Sequence, residues 1–450
     1  MARILIATWP FGGHTLPHVE IARTLLDRQH DVAMYNSPAV APFLESEGIP
    51  HLPYRRLTDR RFESGLIRRQ QNLSWTNPVR VLKMCATWVL DSVPQQVADL
   101  EDILADFRPD VLLCDEIMWS GTLVLSEKHN LPMAVLSTFA GCMLPGPDAP
   151  HFGLGIPPKR SLAGRLGNKL ASRLADRIAR PARRQASQYR VDNGLPPYLG
   201  PVRELAARAG VYMARGTPEW DYERRDLPAS VRYIGPLVWS GERNALTPEW
   251  VSSLPRGKPV IYVSEGTLQS GPPEVLRAAV NGLGGLDLQV VMTTGRCGAL
   301  AKLDIDPLPD NVRLESWVPE QKLFRHTDVV VSVGGAGTVL GALAAGVPLV
   351  VIPSESDQPD NARRVVECGA GIWLPHKRCS PQTLRAAVEH VLREPSFRRN
   401  AQRMQQFFAA YDSRQLAADL IEGLVQKVEP NEVRESLLFH TVSANSGKIA

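Results

Sequence analysis

The stretch DVVVSVGGAGTVLGALAAGVPLVVIPSESDQPDNA, residues 328–362, holds one complete unit of an alternating fold. Residues 328–332 form a β-branched run of the kind that makes a buried strand. Gly334, Gly335 and Gly337 crowd the turn after it, AGTVLGALAAG has helical spacing, and residues 347–352 form a second strand. A strand, a helix and a strand in so short a span imply parallel strands joined by a crossover helix.

The glycine turn has a chemical consequence. Residues without Cβ let backbone N–H groups approach a ligand. The turn also opens a helix, whose N-terminus carries partial positive charge. The pattern suits phosphate. A ligand-free strand-to-helix turn would use the same glycines, but three of them together with Thr338 favour the anion site. No GK[ST] follows, so the loop is not a Walker motif. Val333 brings no polar side chain into this turn.

The same rhythm runs outward in both directions. Residues 3–8, 31–35, 109–115 and 132–136 read as strands, and residues 17–29 and 119–129 as helices. After a weaker region between about 145 and 235, strands are expected at 258–267, 288–293, 312–316 and 370–374, with helical residues at 396–427. The fold class is α/β, with two Rossmann-like, doubly wound parallel-sheet halves around an irregular middle. Expected boundaries are 1–235, a linker at 236–257, a second domain at 258–395, a helical segment at 396–428 and a loose polar tail at 429–450.

Composition narrows the function. The chain has 450 residues, is 22% charged and 44% hydrophobic, and carries a net charge of +4. These are globular values, and so small a charge does not call for a nucleic-acid partner. Six scattered cysteines without a CxxC read as reduced thiols rather than a disulfide framework or zinc site. The Asp-x-Asp of residues 304–306 reads as a solvated loop, and no metal site is expected. The N-terminal MARILIATWPFGG does not read as a secretory signal, and no apolar run is long enough for a membrane span. A cytoplasmic location is expected. Residues 159–190 carry ten Lys/Arg and one acidic residue, with Leu162, Leu166, Leu170 and Leu174 between them. This segment reads as an amphipathic helix covering the sheet, or else as a helix touching an anionic membrane or lipid.

Ligands of open parallel sheets bind beyond the carboxyl ends of the strands. His14 lies there in the loop 9–18, and Asp115 ends the strand 109–115. An imidazole oriented by a carboxylate on its far ring nitrogen is a general base. Alone, each has a plainer explanation: His14 as a surface residue, Asp115 as a helix cap. Together they are a candidate pair. Trp317 offers an aromatic face or is a core tryptophan. Asp357 and Gln358 bond sugar hydroxyls or cap the helix 357–368.

GGHTLPHVEIARTL (12–25), GTPEWDYERRDLPASVRYIGPL (216–237) and the segment from Trp317 to Ile372 together resemble glycosyltransferase family 1, of the bacterial natural-product and antibiotic-biosynthesis type. The resemblance implies the GT-B fold, two facing Rossmann-like domains, with an acceptor-binding first domain and a nucleotide-sugar-binding second one. It implies a metal-independent, inverting transfer of a hexosyl group from a UDP- or dTDP-sugar to a hydroxyl of a small hydrophobic acceptor such as a polyketide, macrolide or flavonoid. The nucleotide sugar is a co-substrate; no cofactor is implied, and the enzyme is expected as a monomer or homodimer. By resemblance, His14 is the base and Asp115 orients it. Trp317 and Val318 hold the nucleobase. Val333, Gly334, Gly335, Gly337 and Thr338, with Ser264 and Thr267, surround the diphosphate. Asp357 and Gln358 hold the sugar.

Four positions depart from the family's pattern, all in the donor half. Val333 stands where histidine is usual, Gly341 where glutamate is frequent, Glu320 where glutamine follows WVP, and Glu265 where an apolar residue is common. They leave a non-catalytic helper of the same fold as the alternative; intact His14 and Asp115 favour the enzyme. A glycolipid-forming transferase at a membrane is the third reading. Without a carboxylate at 341 to bond the ribose, a thymidine donor is expected over a uridine one.

Overall fold

The computed structural model describes residues 1–57, 89–144, 146–158, 161–200, 206–241, 247–255, 257–266, 273–295 and 307–426. Thr267, Cys85, Cys297, the Asp-x-Asp at 304–306 and the tail 429–450 lie outside these described residues.

The first sheet contains β1 (Arg3–Ala7), β2 (Asp31–Asn36), β3 (His51–Pro53), β4 (Val111–Asp115), β5 (Met133–Ala140), β6 (Val211–Arg215) and β7 (Val231–Tyr233). The second contains β8 (Val260–Ser264), β9 (Gln289–Thr293), β10 (Val312–Glu315), β11 (Val329–Ser332), β12 (Leu349–Val351) and β13 (Gly371–Trp373). The spatial orders are 3-2-1-4-5-6-7 and 10-9-8-11-12-13. Neighbouring strands in both sheets run parallel. β4 and β11 are buried along their whole lengths, as continuous apolar runs require under helices on both faces.

Each sheet reverses its winding beside its first strand. In the first sheet β1 lies between β2 and β4; in the second β8 lies between β9 and β11. These are the topological switch points, where loops diverge and leave a crevice. His14 and Asp115 come from the first crevice, Ser264 and the glycine turn from the second. β6 and β7 fall in the stretch where the sequence rhythm is weak, and β3 is a three-residue strand that the sequence reading did not mark. β6 is strand because its fully buried VYMAR run pairs with β5 in the first sheet.

The helix expected at 17–29 begins earlier, at Gly12, so His14 stands in its first turn rather than in a loop. Val19, Ala22 and Leu25 of this helix face the core. The C-terminal helix Ser413–Gln426 returns to the first domain, where Ala417, Ile421 and Leu424 join the core under β1 and β4. Gly210 permits that return, since a Cβ there would lie 2.5 Å from Leu424.

Helix Leu162–Ile178 corrects one expectation. Its leucines do not cover the sheet: Leu162, Leu166, Leu170 and Leu174 are 86%, 57%, 54% and 60% exposed. The helix Arg180–Asp192 after it carries the packing, burying Ser187 and Arg190.

The domains meet through buried polar contacts. Arg364, on helix Gln358–Glu367, donates from Nε and Nη2 to Asp221 Oδ1 at 3.1 and 2.8 Å. Asp360 accepts from the backbone N–H groups of Gly153 and Gly155 at 2.6 and 2.9 Å.

Candidate active site

A cavity of about 750 Å³ lies in the cleft, lined by residues of both domains. Its first-domain wall carries Leu123, Met133, Val135, Phe139, Phe152 and Ala186, an apolar surface for an apolar ligand. His14 and the glycine turn face the same space.

Parallel pairing of β1 with β4 sets their carboxyl ends side by side and brings together His14 and Asp115, 101 residues apart in sequence. His14 Nδ1 and Asp115 Oδ2 are 2.5 Å apart, and the Thr138 hydroxyl is 3.0 Å from the same nitrogen. A carboxylate only accepts, so Nδ1 carries the proton and Nε2 keeps its lone pair. Burial disfavours charge on His14, but Asp115 outweighs it and raises the pKa above the ordinary value. Burial pushes Asp115 up, and the histidine outweighs that in turn, holding it below the usual carboxylate range. Asp115 also accepts from the Ile117 N–H at 2.8 Å, which fixes its carboxyl group. His18, one turn on, is fully buried; burial lowers its pKa, and its Nδ1 donates to the His14 carbonyl at 2.7 Å.

Across the cavity, β11 ends at Ser332 and Gly335 caps helix Ala336–Ala344. Gly334 has φ 92°, and a Cβ there would lie 2.7 Å from Val351. That position requires glycine. Gly335 and Gly337 have open space where a Cβ would stand, so the helix N-terminus faces the cavity unobstructed. Val333 is buried in the apolar cluster that includes Val331 and Ile352 and also borders the cavity. Ser264 ends β8 and accepts from the Gly266 N–H at 3.2 Å. Trp317 and Val318 line the same space, and Trp317 tilts against Trp239 with ring centroids 5.6 Å apart.

Several donor-side residues have partners that no sequence pattern announces. The Thr338 hydroxyl points at Glu320, 3.4 Å from Oε1, and Tyr262 donates to the same oxygen at 2.8 Å. Burial raises the pKa of Glu320 despite these donors. Glu265 has a partner of its own. It accepts from the Val275 N–H at 2.6 Å at the start of helix Glu274–Leu283, and burial pushes it up to about 7. Gln358 turns its carbonyl oxygen to Ser354 N and Glu355 N at 2.9 and 3.1 Å. Asp357 bonds Asn361 Nδ2 at 2.7 Å rather than capping the helix, and burial pushes it up to about 6. A Cβ at Gly341 would lie 2.6 Å from Gln321 Nε2 and 3.2 Å from Phe324, so the glycine relieves crowding there.

Sequence reasoning passed over Glu116, Thr138, Tyr212 and Trp239, all of which line the cavity. Only Glu116 left a signal, as an acidic neighbour of Asp115 at a strand end. Burial first, and then Asp115 beside it, push Glu116 up to about 8.

An imidazole oriented by a carboxylate faces an open helix N-terminus across the cleft of two doubly wound domains. Residues 277–423 match the family described as erythromycin biosynthesis protein CIII-like, C-terminal domain. Over 429 residues the chain is 36% identical to 4'-demethylrebeccamycin synthase of Lentzea aerocolonigenes, covering 94% of this chain and 100% of that protein. The solved structure of a calicheamicin glycosyltransferase superposes with TM-score 0.73 at 22% identity, covering 96% of this chain and 100% of that one. A spinosyn rhamnosyltransferase complexed with thymidine diphosphate gives 0.68 at 19%, covering 93% and 100%. The protein belongs to the family 1 natural-product glycosyltransferases, enzymes that transfer sugars to small acceptors.

Proposed function

We propose that the protein moves a sugar, with inversion and without a metal ion, from a nucleoside-diphosphate sugar to a hydroxyl of a small hydrophobic acceptor. The observation that carries this reading is the His14–Asp115 pair at 2.5 Å on the same cavity as the open glycine turn. His14 Nε2 takes the acceptor proton as its oxygen attacks the anomeric carbon. The C–O bond to the diphosphate breaks on the opposite face, which inverts the centre. Backbone N–H groups at the start of helix Ala336–Ala344 meet the charge left on the diphosphate. Ser264 borders the diphosphate, Trp317 and Val318 the base, and Asp357 and Gln358 the sugar. Four free cysteines among the described residues suit a cytoplasmic enzyme. We read it as a monomer or homodimer needing no cofactor beyond its sugar donor.

The donor is read as a thymidine-diphosphate deoxysugar. Gly341 supplies no carboxylate for a ribose 2′-hydroxyl, and the spinosyn enzyme holds thymidine diphosphate. Matched thymidine and uridine donors of one sugar are expected to differ in kcat/KM in favour of thymidine; a clear uridine preference overturns this reading. Titration calorimetry with the same nucleotide sugars tests the broader one. Binding is expected, and no binding to any of them would identify a helper that kept only the fold.

The exposed leucines of helix Leu162–Ile178 favour a second reading, contact with an anionic membrane. Lys169, Arg173 and Arg177 are exposed on the same helix, and such a helix lies in a lipid interface. The protein is expected to co-sediment with phosphatidylglycerol vesicles at physiological salt, and a Leu166→Glu/Leu170→Glu variant to stay in solution. Equal sedimentation of the two would leave this face merely solvated.

A further inference from the structure

We propose that Phe152 is an acceptor-contact residue that the second domain puts in place. Asp360 and Arg363, on helix Gln358–Glu367, hold the first-domain loop 151–156 by its backbone, and the Phe152 ring then forms a wall of the acceptor chamber. The inference deepens the acceptor side of the reading above and rests on it.

The loop reads HFGLGI and lies outside helix and strand. Its large apolar side chains do not anchor it in a core: Phe152, Leu154 and Ile156 are 37%, 41% and 39% exposed. Its backbone is what is held. Asp360 is 3% exposed and uses both oxygens, Oδ2 for the Gly153 N–H at 2.6 Å and Oδ1 for the Gly155 N–H at 2.9 Å. Bonds of N–H groups to a carboxylate are the stronger kind. Arg363 Nε adds a third, to the Gly155 carbonyl at 3.0 Å. Gly153 and Gly155 have φ 80° and 57°, which glycine adopts without strain. A Cβ at Gly155 would lie 2.6 Å from the Trp373 ring and 2.8 Å from the Pro359 carbonyl oxygen, both in the second domain. The loop is therefore shaped to the second domain rather than to its own. Phe152 stands one residue before this latch and lines the cavity. Its ring meets Phe139 with centroids 5.3 Å apart, and Phe139 meets the edge of His14 at 6.3 Å. Asp357 and Gln358, at the start of the helix that carries Asp360, line the same space. An apolar acceptor whose hydroxyl reaches His14 has this pair of phenylalanine rings beside it. Phe152 contacts that acceptor, and Asp360 acts through Phe152 as a positioning residue. The wall is complete only while the second domain holds the loop.

The test measures two dissociation constants on the full chain, 2-naphthol by fluorescence for the acceptor side and thymidine diphosphate by calorimetry for the donor side. Phe152→Ala is expected to weaken 2-naphthol about three- to tenfold, the size of an aromatic contact. Asp360→Ala is expected to give a similar loss with thymidine diphosphate affinity unchanged. The double variant Phe152→Ala/Asp360→Ala loses no more than Phe152→Ala alone, because Asp360 works through that ring. If Asp360→Ala does not fold, Gly155→Ala carries the test, since its Cβ lifts the loop and leaves Asp360 in place. Undiminished 2-naphthol affinity in Phe152→Ala, or none in the wild type, overturns the wall. Additive losses in the double variant, or a parallel loss of thymidine diphosphate affinity in Asp360→Ala, overturn the positioning role. The expected naphthol losses in a protein that binds no nucleotide sugar would defeat the proposed function and leave the Phe152 wall standing.

Discussion

Replacing His14 with alanine is expected to lower kcat by about 10²–10⁴-fold, the usual size of a general-base contribution. The side chain is half of a pair held at 2.5 Å, and its Nε2 is the ring nitrogen left for the acceptor. The pH profile gives a second readout. Burial works against the charged imidazole, but Asp115 outweighs burial and raises the His14 pKa above 6.5. The base acts only when neutral. A raised pKa keeps it protonated to higher pH, so the acid limb of kcat/KM has its midpoint above 6.5, not below. Below that midpoint the rate falls tenfold per pH unit. Asp115→Asn removes the charge that opposes burial, so the midpoint moves to lower pH while kcat falls. A wild-type midpoint at or below 6.5, or near-normal turnover in His14→Ala, would remove His14 from the chemistry.

The other large effect is on stability and lies at the domain interface. Asp221→Ala is expected to cost about 3–5 kcal/mol, the usual cost of breaking a buried ion pair from one side. Asp221 meets Arg364 at 2.8 Å, and the two side chains are 0% and 3% exposed. Asp221 also accepts from Cys142 N at 2.7 Å and from the Tyr233 hydroxyl at 2.7 Å. Removing it leaves a guanidinium buried over the Tyr222 ring, with that cation–π contact and the more distant charge of Asp360 in place of its hydrogen-bonded partner. Urea midpoints at constant slope measure the loss. The double variant Asp221→Ala/Arg364→Met is expected to recover part of it, because the uncompensated charge is gone. A loss below about 1 kcal/mol would show that water reaches Arg364 when its partner is removed.

The glycine turn, the strand runs and the family motifs were legible because they are local. Period and turn chemistry are carried by contiguous residues, and the resemblance is densest where the chain is most regular. The weak rhythm between 145 and 235 hid β6 and β7. β7 is three residues long, and β6 is settled by its buried place beside β5. The departures at 333, 341, 320 and 265 were also visible, but not their meaning. Val333 joins the apolar cluster, Gly341 makes room for Gln321, Glu320 gathers Tyr262 and Thr338, and Glu265 meets the start of a helix.

Two parallel α/β halves, a candidate base with its carboxylate and a glycine-rich turn at a helix start could all be read along the chain. Each rests on residues near one another in the chain or on a strand-end rule common to such sheets. Folding alone settles that the Leu162–Leu174 stripe faces outward and that Glu116 meets Tyr212, 96 residues away. It also decided that Thr338 faces Glu320 rather than standing free at the helix start. A side chain's partner depends on which strands become neighbours and which helix face the sheet leaves uncovered. Those are properties of the closed chain, and no contiguous stretch of residues carries them.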